Sequence, residues 1–181
     1  MKNIVTIGAS SSLNSINRKF AYYAAKALAI NCDIKELVLS NYEMPIYSED
    51  RQKIDGIPDK AILFKRYISD SDGIILSLAE HNGSYTAAFK NIYDWISVIE
   101  NDVWSSKPIL LLSTSNGARG GKTILETAHK RFSLNYIHPI PSFSLPNFYD
   151  NFSETDGIKN SSLNEKFKFV LSKFQSILDD N

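Results

Sequence analysis

The sequence predicts an α/β domain: a five-stranded parallel sheet with helices on both faces, a three-layer sandwich. Three observations predict it. Short β-rich runs alternate with segments of helical length along the whole chain. Two of those runs, Gly73–Ser77 and Pro108–Ser113, are apolar almost throughout, as strands covered on both faces must be. Strands alternating with helices leave parallel pairing with right-handed crossovers as the simplest topology.

The elements follow in order. Ile4–Ile7 is a strand ending at Gly8, and the Ala-rich stretch Ala21–Ile30 is a helix that begins near Ser15. Ile34–Leu39 is the second strand, followed by a polar loop, Ser40–Ile57, carrying Pro45. Pro58 suits the first turn of a helix that runs to about Ser71, because no amide hydrogen is needed there. After the strand Gly73–Ser77, Ser84 is the expected cap of a helix reaching Val98. Pro108–Ser113 is the fourth strand and Lys122–Phe132 the next helix. Tyr136–Ile140 is expected as the fifth strand, with a final helix over Asn164–Leu178. The flavodoxin-like strand order 2-1-3-4-5 is one of two common solutions for such a series, and it is the one expected here. In that order the chain reverses direction between strands 1 and 3, and the crevice at their C-terminal ends is the expected ligand site.

Composition bounds what the chain does. Its 181 residues suit one domain, residues 1–181, with 43% hydrophobic and 22% charged side chains. Twenty basic and twenty acidic side chains give no net charge, so no long-range field draws the chain to nucleic acid or to an anionic membrane. A neutral surface together with the aromatic segments Tyr93–Trp95 and Phe143–Phe152 leans towards self-association. The one cysteine, Cys32, cannot form an internal disulfide and reads as a packing residue, which fits a reducing compartment. The apolar run at Met1–Gly8 is too short for a signal peptide, and no stretch approaches the roughly 20 apolar residues of a membrane span. A cytoplasmic location is expected.

Three loops should meet at the crevice. Gly8–Asn17 holds four serines and two asparagines where a buried strand feeds a helix N-terminus, more hydroxyls than a cap needs. Free amides and the helix dipole make such a loop a phosphate site. The loop after the third strand contains Glu80, His81 and the turn Asn82-Gly83. Gly83 lets a flat ligand approach the backbone. Glu80 is either a base or a solvated loop carboxylate. His81 is an acid, a stacking partner or a polar loop residue. The loop after the fourth strand, Ser113–Thr123, ends in Gly121-Lys122-Thr123 but has Asn116 where a triphosphate-binding loop needs glycine. Its glycines Gly117, Gly120 and Gly121 instead suit a backbone lying near a planar ring. No nucleophile–base–acid set and no metal-ligand spacing appears. The pattern is that of a protein that holds a flat phosphorylated cofactor and leaves the chemistry to it.

These residues resemble the NADPH-dependent FMN reductase family. Three segments carry the resemblance: Gly8–Asn17 with Phe20-Ala21; Met44–Asp50; and Ala79–Ser84 with Phe89–Trp95. It extends from about Lys2 to Ser115 and more loosely to Phe148. The resemblance implies FMN phosphate at Ser10, Ser12, Ser15, Ile16 and Asn17. It implies the isoalloxazine ring near Glu80, His81, Asn82, Gly83, Ser84, Ser115 and Gly117. It further implies hydride transfer from NAD(P)H through FMN to a small-molecule acceptor (quinone, flavin, azo or nitro compound) by a homodimer or homotetramer. Two departures stand out. The family usually has arginine where Ser12 stands, and Pro-Glu-Tyr-Asn where Ala79–Asn82 stands. A flavodoxin-type electron carrier and a flavin-binding interaction domain are the rival classes. Such carriers usually present a strongly acidic face to redox partners, and this chain has zero net charge.

Overall fold

The computed structural model describes all 181 residues. Five parallel strands form the central sheet: β1 (Lys2–Ala9), β2 (Cys32–Val38), β3 (Gly73–Leu78), β4 (Ile109–Thr114) and β5 (Ser142–Leu145). Their spatial order is β2-β1-β3-β4-β5. The register places Ile7 beside Leu37 and Leu76, and Leu76 beside Leu111. Helices α1 (Ile16–Lys26), α2 (Glu49–Asp55), α3 (Asp59–Ser69), α4 (Ala87–Ser97), α5 (Lys122–Phe132), α6 (Phe148–Asn151) and α7 (Ser161–Asp179) complete the chain.

Alternation along each strand divides the core in two. Val5, Ile7, Leu76 and Leu111 face one side, where Phe64, Phe89 and Phe132 of α3, α4 and α5 cover them. Ile4, Ile75, Leu110 and Leu112 face the other, against Phe20 of α1 and Phe167 and Phe174 of α7. β3 and β4 are buried at every position, which is why both read as unbroken apolar runs. Gly8 is where α1 meets the sheet: a Cβ there would stand 2.4 Å from the Arg18 backbone. Only glycine allows that helix to start so close to the end of β1.

The structure corrects four expectations. The fifth strand is Ser142–Leu145, not Tyr136–Ile140. Pro139 removes a ladder donor from the earlier segment, and Pro141 follows directly after it. Tyr136 and His138 instead bond the carbonyls of Lys107 and Ser106. α4 begins at Ala87 under a Thr86 cap, because Ser84 is drawn into a two-residue hairpin with His81. The polar stretch Ser40–Ile57 contains α2, a helix with no buried residue, held by its Ser48 cap and by Glu49 and Asp50 in its first turn. The aromatic segments are mostly core: Trp95, Phe143, Phe148 and Phe152 are buried and Tyr93 partly so, while Tyr149 is exposed. Exposed large apolar side chains elsewhere include Ile46, Ile54, Ile62 and Leu63. No helix is long and apolar enough to cross a membrane.

Candidate active site

The loops after β1, β3 and β4 converge at the C-terminal edge of the sheet, at the β1/β3 reversal. They enclose a cleft of about 290 Å³. Ser10, Ser12, Ser15, Ile16, Asn17, Glu80, His81 and Ser115 line it together. Asn82, Gly83, Ser84 and Gly117 lie outside its lining. Asn82 and Gly83 form the tip of the hairpin, both with positive φ (52° and 75°), which the sequence Asn-Gly is suited to supply. Gly120 is glycine for packing, since a Cβ there would meet the Ser144 hydroxyl at 2.5 Å.

The first loop presents donors that have no acceptor within the protein. Ser15 caps α1, its hydroxyl oxygen accepting from the Arg18 amide at 3.2 Å, so its hydrogen stays free to donate. The amides of Ile16 and Asn17, the first two of the helix, donate to no protein group. The Ser12 amide is held by the Ser10 hydroxyl at 3.2 Å. Helix dipole, free amides and hydroxyls thus point at one place, and that donor set fits a terminal phosphate. No lysine or arginine lines the cleft.

The Asn17 side chain is not part of that donor set. It is 2% exposed and turned inward. Its Nδ2 donates to the Thr114 carbonyl at 3.0 Å, and its Oδ1 accepts from the Ser77 hydroxyl (2.8 Å) and the Thr114 amide (3.0 Å). One side chain therefore locks α1 to the ends of β3 and β4. Other buried hydroxyls extend the floor: Thr86 donates to the Ala9 carbonyl at 2.9 Å, and Thr114 to the Leu145 carbonyl at 2.7 Å.

Glu80 also has a partner. Its Oε2 accepts from the Ile124 amide at 3.1 Å, in the first turn of α5, where the capping residue is Gly121 and offers no side chain. A carboxylate there satisfies an orphan amide and opposes the positive end of the helix dipole. Its placement suits it to fix the hairpin, while His81 beside it is exposed on the cleft wall.

Asn14, Ala79, Thr114, Asn116 and Tyr149 line the cleft as well. All but Tyr149 neighbour residues singled out from sequence. Tyr149 stands on α6, which is tied to the loop after β4 by the Asn147 amide on the Gly117 carbonyl and the Phe148 amide on the Ser115 carbonyl, both 3.0 Å. Nothing local in the sequence signals that long-range tie.

Comparison with known proteins identifies the family and the fold. Residues 2–150 match the family model described as NADPH-dependent FMN reductase. The chain is 33% identical over 153 residues to an uncharacterised protein of Mycoplasma pneumoniae, covering 79% of this chain and 86% of that one. It is 28% identical over 118 residues to the quinone reductase of Escherichia coli, covering 65% of this chain and 62% of that one, less than two thirds of the relative's length. The flavoenzyme NAD(P)H:(acceptor) oxidoreductase of Paracoccus denitrificans has a similar fold, with a TM-score of 0.77 at 19% identity over 99% of this chain and 98% of that one. With the family model covering most of the chain, and with a phosphate-ready cleft at the β1/β3 crevice of a flavodoxin-like sheet, this chain belongs to the NADPH-dependent FMN reductase family.

Proposed function

We propose that the chain is an FMN-dependent NAD(P)H oxidoreductase that reduces small-molecule acceptors of the quinone or flavin type, with azo and nitro compounds as further acceptors. The observation that carries it is the pair of unpartnered amides, Ile16 and Asn17, opening into the cleft among serine hydroxyls. Ser10, Ser12 and Ser15 would hold the FMN phosphate with those amides. The Glu80–Ser84 hairpin and the Ser115–Gly117 loop would flank the ring. FMN, when bound, supplies two-electron chemistry, so no side chain has to act as a covalent catalyst. The protein orients donor and acceptor and partly excludes water. His81, exposed at the wall, can donate a proton from a ring nitrogen to a reduced acceptor.

Assembly into a homodimer or homotetramer belongs to the same proposal. It rests on the exposed Ile46, Ile54, Ile62 and Leu63, not on the aromatic segments. Light scattering at micromolar concentration should give at least twice the mass of 20.4 kDa.

A visible spectrum tests the function. The purified protein, or apoprotein given FMN, should be yellow with about one flavin per chain, and should bleach under anaerobic NADH or NADPH. Failure to bind FMN, or a bound flavin that neither nicotinamide reduces, would overturn the reading.

A further inference from the structure

A cavity of about 380 Å³ stands apart from the cofactor cleft and shares no lining residue with it. Two segments frame it: residues 101–106, which lead into β4, and residues 131–137, which run from the last turn of α5 towards β5. Both come before strands of a parallel sheet, so the cavity lies towards the opposite end of those strands from the cleft. Tyr93 of α4 closes a further side.

The framing segments are held in an unfavourable backbone geometry. Three of the chain's five non-glycine residues with positive φ fall in them: Ser105 (51°), Ser106 (54°) and Asn135 (59°). A left-handed backbone disfavours serine and persists only where the surroundings impose it. Lys65, buried in α3, is what imposes it on the first segment. Its ammonium donates to the carbonyls of Asp102 (2.6 Å) and Val103 (2.9 Å) and to the Ser105 hydroxyl (2.8 Å), and pairs with Glu100 at 2.8 Å. The second segment is pinned to the first: the Tyr136 hydroxyl donates to the Lys107 carbonyl, and His138 bonds the Ser106 carbonyl. Walls fixed in this way make a preformed cavity, as small-molecule sites usually are.

The lining is aromatic and apolar, with one charge of each sign. Tyr93, Phe132, Leu134, Tyr136 and Ile137 supply the apolar surface. Arg131 is the cation, and it makes no ion pair or hydrogen bond within the protein. Asp102 is the carboxylate, and one of its oxygens accepts from the Ser106 hydroxyl, which leaves capacity for another donor. The two charges act at different places. Burial raises the phenols of Tyr85, Tyr93 and Tyr136; Arg131 opposes that rise at Tyr85 and Tyr93, while Asp102 adds to it at Tyr136. The cation thus stands towards Tyr93 and the carboxylate towards Tyr136. In the same wall the buried indole N–H of Trp104 donates to no protein group, an unpaired donor that the protein alone does not explain.

We propose that this cavity binds a single-ring aromatic carboxylate that carries a hydrogen-bond donor on the far side of its ring. The ring packs among Tyr93, Phe132 and Tyr136, the carboxylate meets Arg131 in a charge-assisted pair, and the donor faces Asp102. A phosphate ester fits less well. It carries about −1.5 to −2 charges at neutral pH, too many for one guanidinium with a carboxylate nearby.

The probe is 4-hydroxybenzoate, titrated calorimetrically into the protein with and without FMN. It should bind saturably, and equally in both forms, because the cavity and the cleft have no residue in common. Arg131 is exposed, so the fold is not at stake when it is replaced. Arg131→Gln should weaken the probe about tenfold or more, and Arg131→Lys, which keeps the charge but not the planar fork, should lose less. The uncharged 4-hydroxybenzyl alcohol should bind the parent about tenfold more weakly than the acid and should not respond to Arg131→Gln. Benzoate, which lacks the donor, should bind roughly threefold to tenfold more weakly than 4-hydroxybenzoate. The proposal is overturned by the absence of saturable binding, by an alcohol or a benzoate that binds as tightly as the probe, or by Arg131→Gln protein that binds it like the parent. Displacement of the probe by FMN also overturns it, since that would put the probe in the cleft. A protein that binds the probe but not FMN would keep this inference and lose the reductase reading.

Discussion

At the scale of single residues, two neighbours in the first loop do opposite work. Ser15 faces the cleft and Asn17 faces the core. Ser15→Asp sets a carboxylate against the phosphate, and FMN affinity should fall by about a hundredfold or more, read by titration. Aspartate remains a good N-cap, so the melting curve of the apoprotein should hold or rise slightly. Asn17→Ala should do the reverse in kind. It strands the Thr114 amide and carbonyl and the Ser77 hydroxyl, all buried, and should cost about 2–3 kcal/mol of stability in urea unfolding. The family resemblance implies both residues at the ligand, and nothing local in the loop distinguishes them. The direction of Asn17 is set by groups 60 and 97 positions away.

At the scale of elements, the joints between helices and loops hold the cleft walls. Glu80 caps α5 from a hairpin 44 residues earlier in the chain. Glu80→Ala should lower stability by about 1 kcal/mol, roughly 2–4 °C in Tm, by leaving the Ile124 amide unpaired and removing a charge from the helix N-terminus. Glu80→Gln, which keeps an acceptor oxygen, should recover part of that loss. Most elements were legible in the sequence because their signals are local: continuous apolar runs for β3 and β4, Ser15 as a cap, an Ala-rich face for α1. The fifth strand was not. Tyr136–Ile140 and Ser142–Leu145 both alternate in part, and the prolines and the Tyr136–Lys107 contact decide between them. α2 was missed because a fully exposed helix has no apolar periodicity to show.

At the scale of the whole molecule, four tyrosines, one buried and three partly buried, set the alkaline limit. Burial pushes the phenols of Tyr42, Tyr85, Tyr93 and Tyr136 up, that of Tyr85 to about 12. Neighbouring phenols add to the shift at Tyr42 and Tyr85, while Arg131 opposes it at Tyr85 and Tyr93. A folded state that favours the neutral phenol is stabilised relative to a chain whose tyrosines ionise near 10. That contribution is fully present below pH about 10 and is lost as pH rises towards 12. Urea midpoints between pH 8 and pH 11.5 should therefore fall steeply above pH about 10, and Tyr85→Phe should flatten the fall. The same variant should be neutral or slightly stabilising at pH 8, because the Tyr85 hydroxyl has no hydrogen-bond partner to lose.

The sequence by itself determined the α/β class, four of the five strands and the three loops at their C-terminal ends, and the tertiary structure decided between the two common strand orders. The former follow from apolar runs, caps and the handedness of crossovers, which act over a few residues or obey general topological rules. Only the tertiary structure decided which polar groups in those loops face the cleft and which are spent on the protein itself. Asn17, Thr114 and Glu80 lie in the three crevice loops along the chain, and Thr86 just beyond one of them. Asn17, Thr86, Thr114 and Glu80 each satisfy a backbone group brought near by folding: the Thr114 backbone, the Ala9 carbonyl, the Leu145 carbonyl and the Ile124 amide. The physical reason is that a buried amide or carbonyl must be paired, and its partner is chosen by proximity in space, which a linear pattern does not carry.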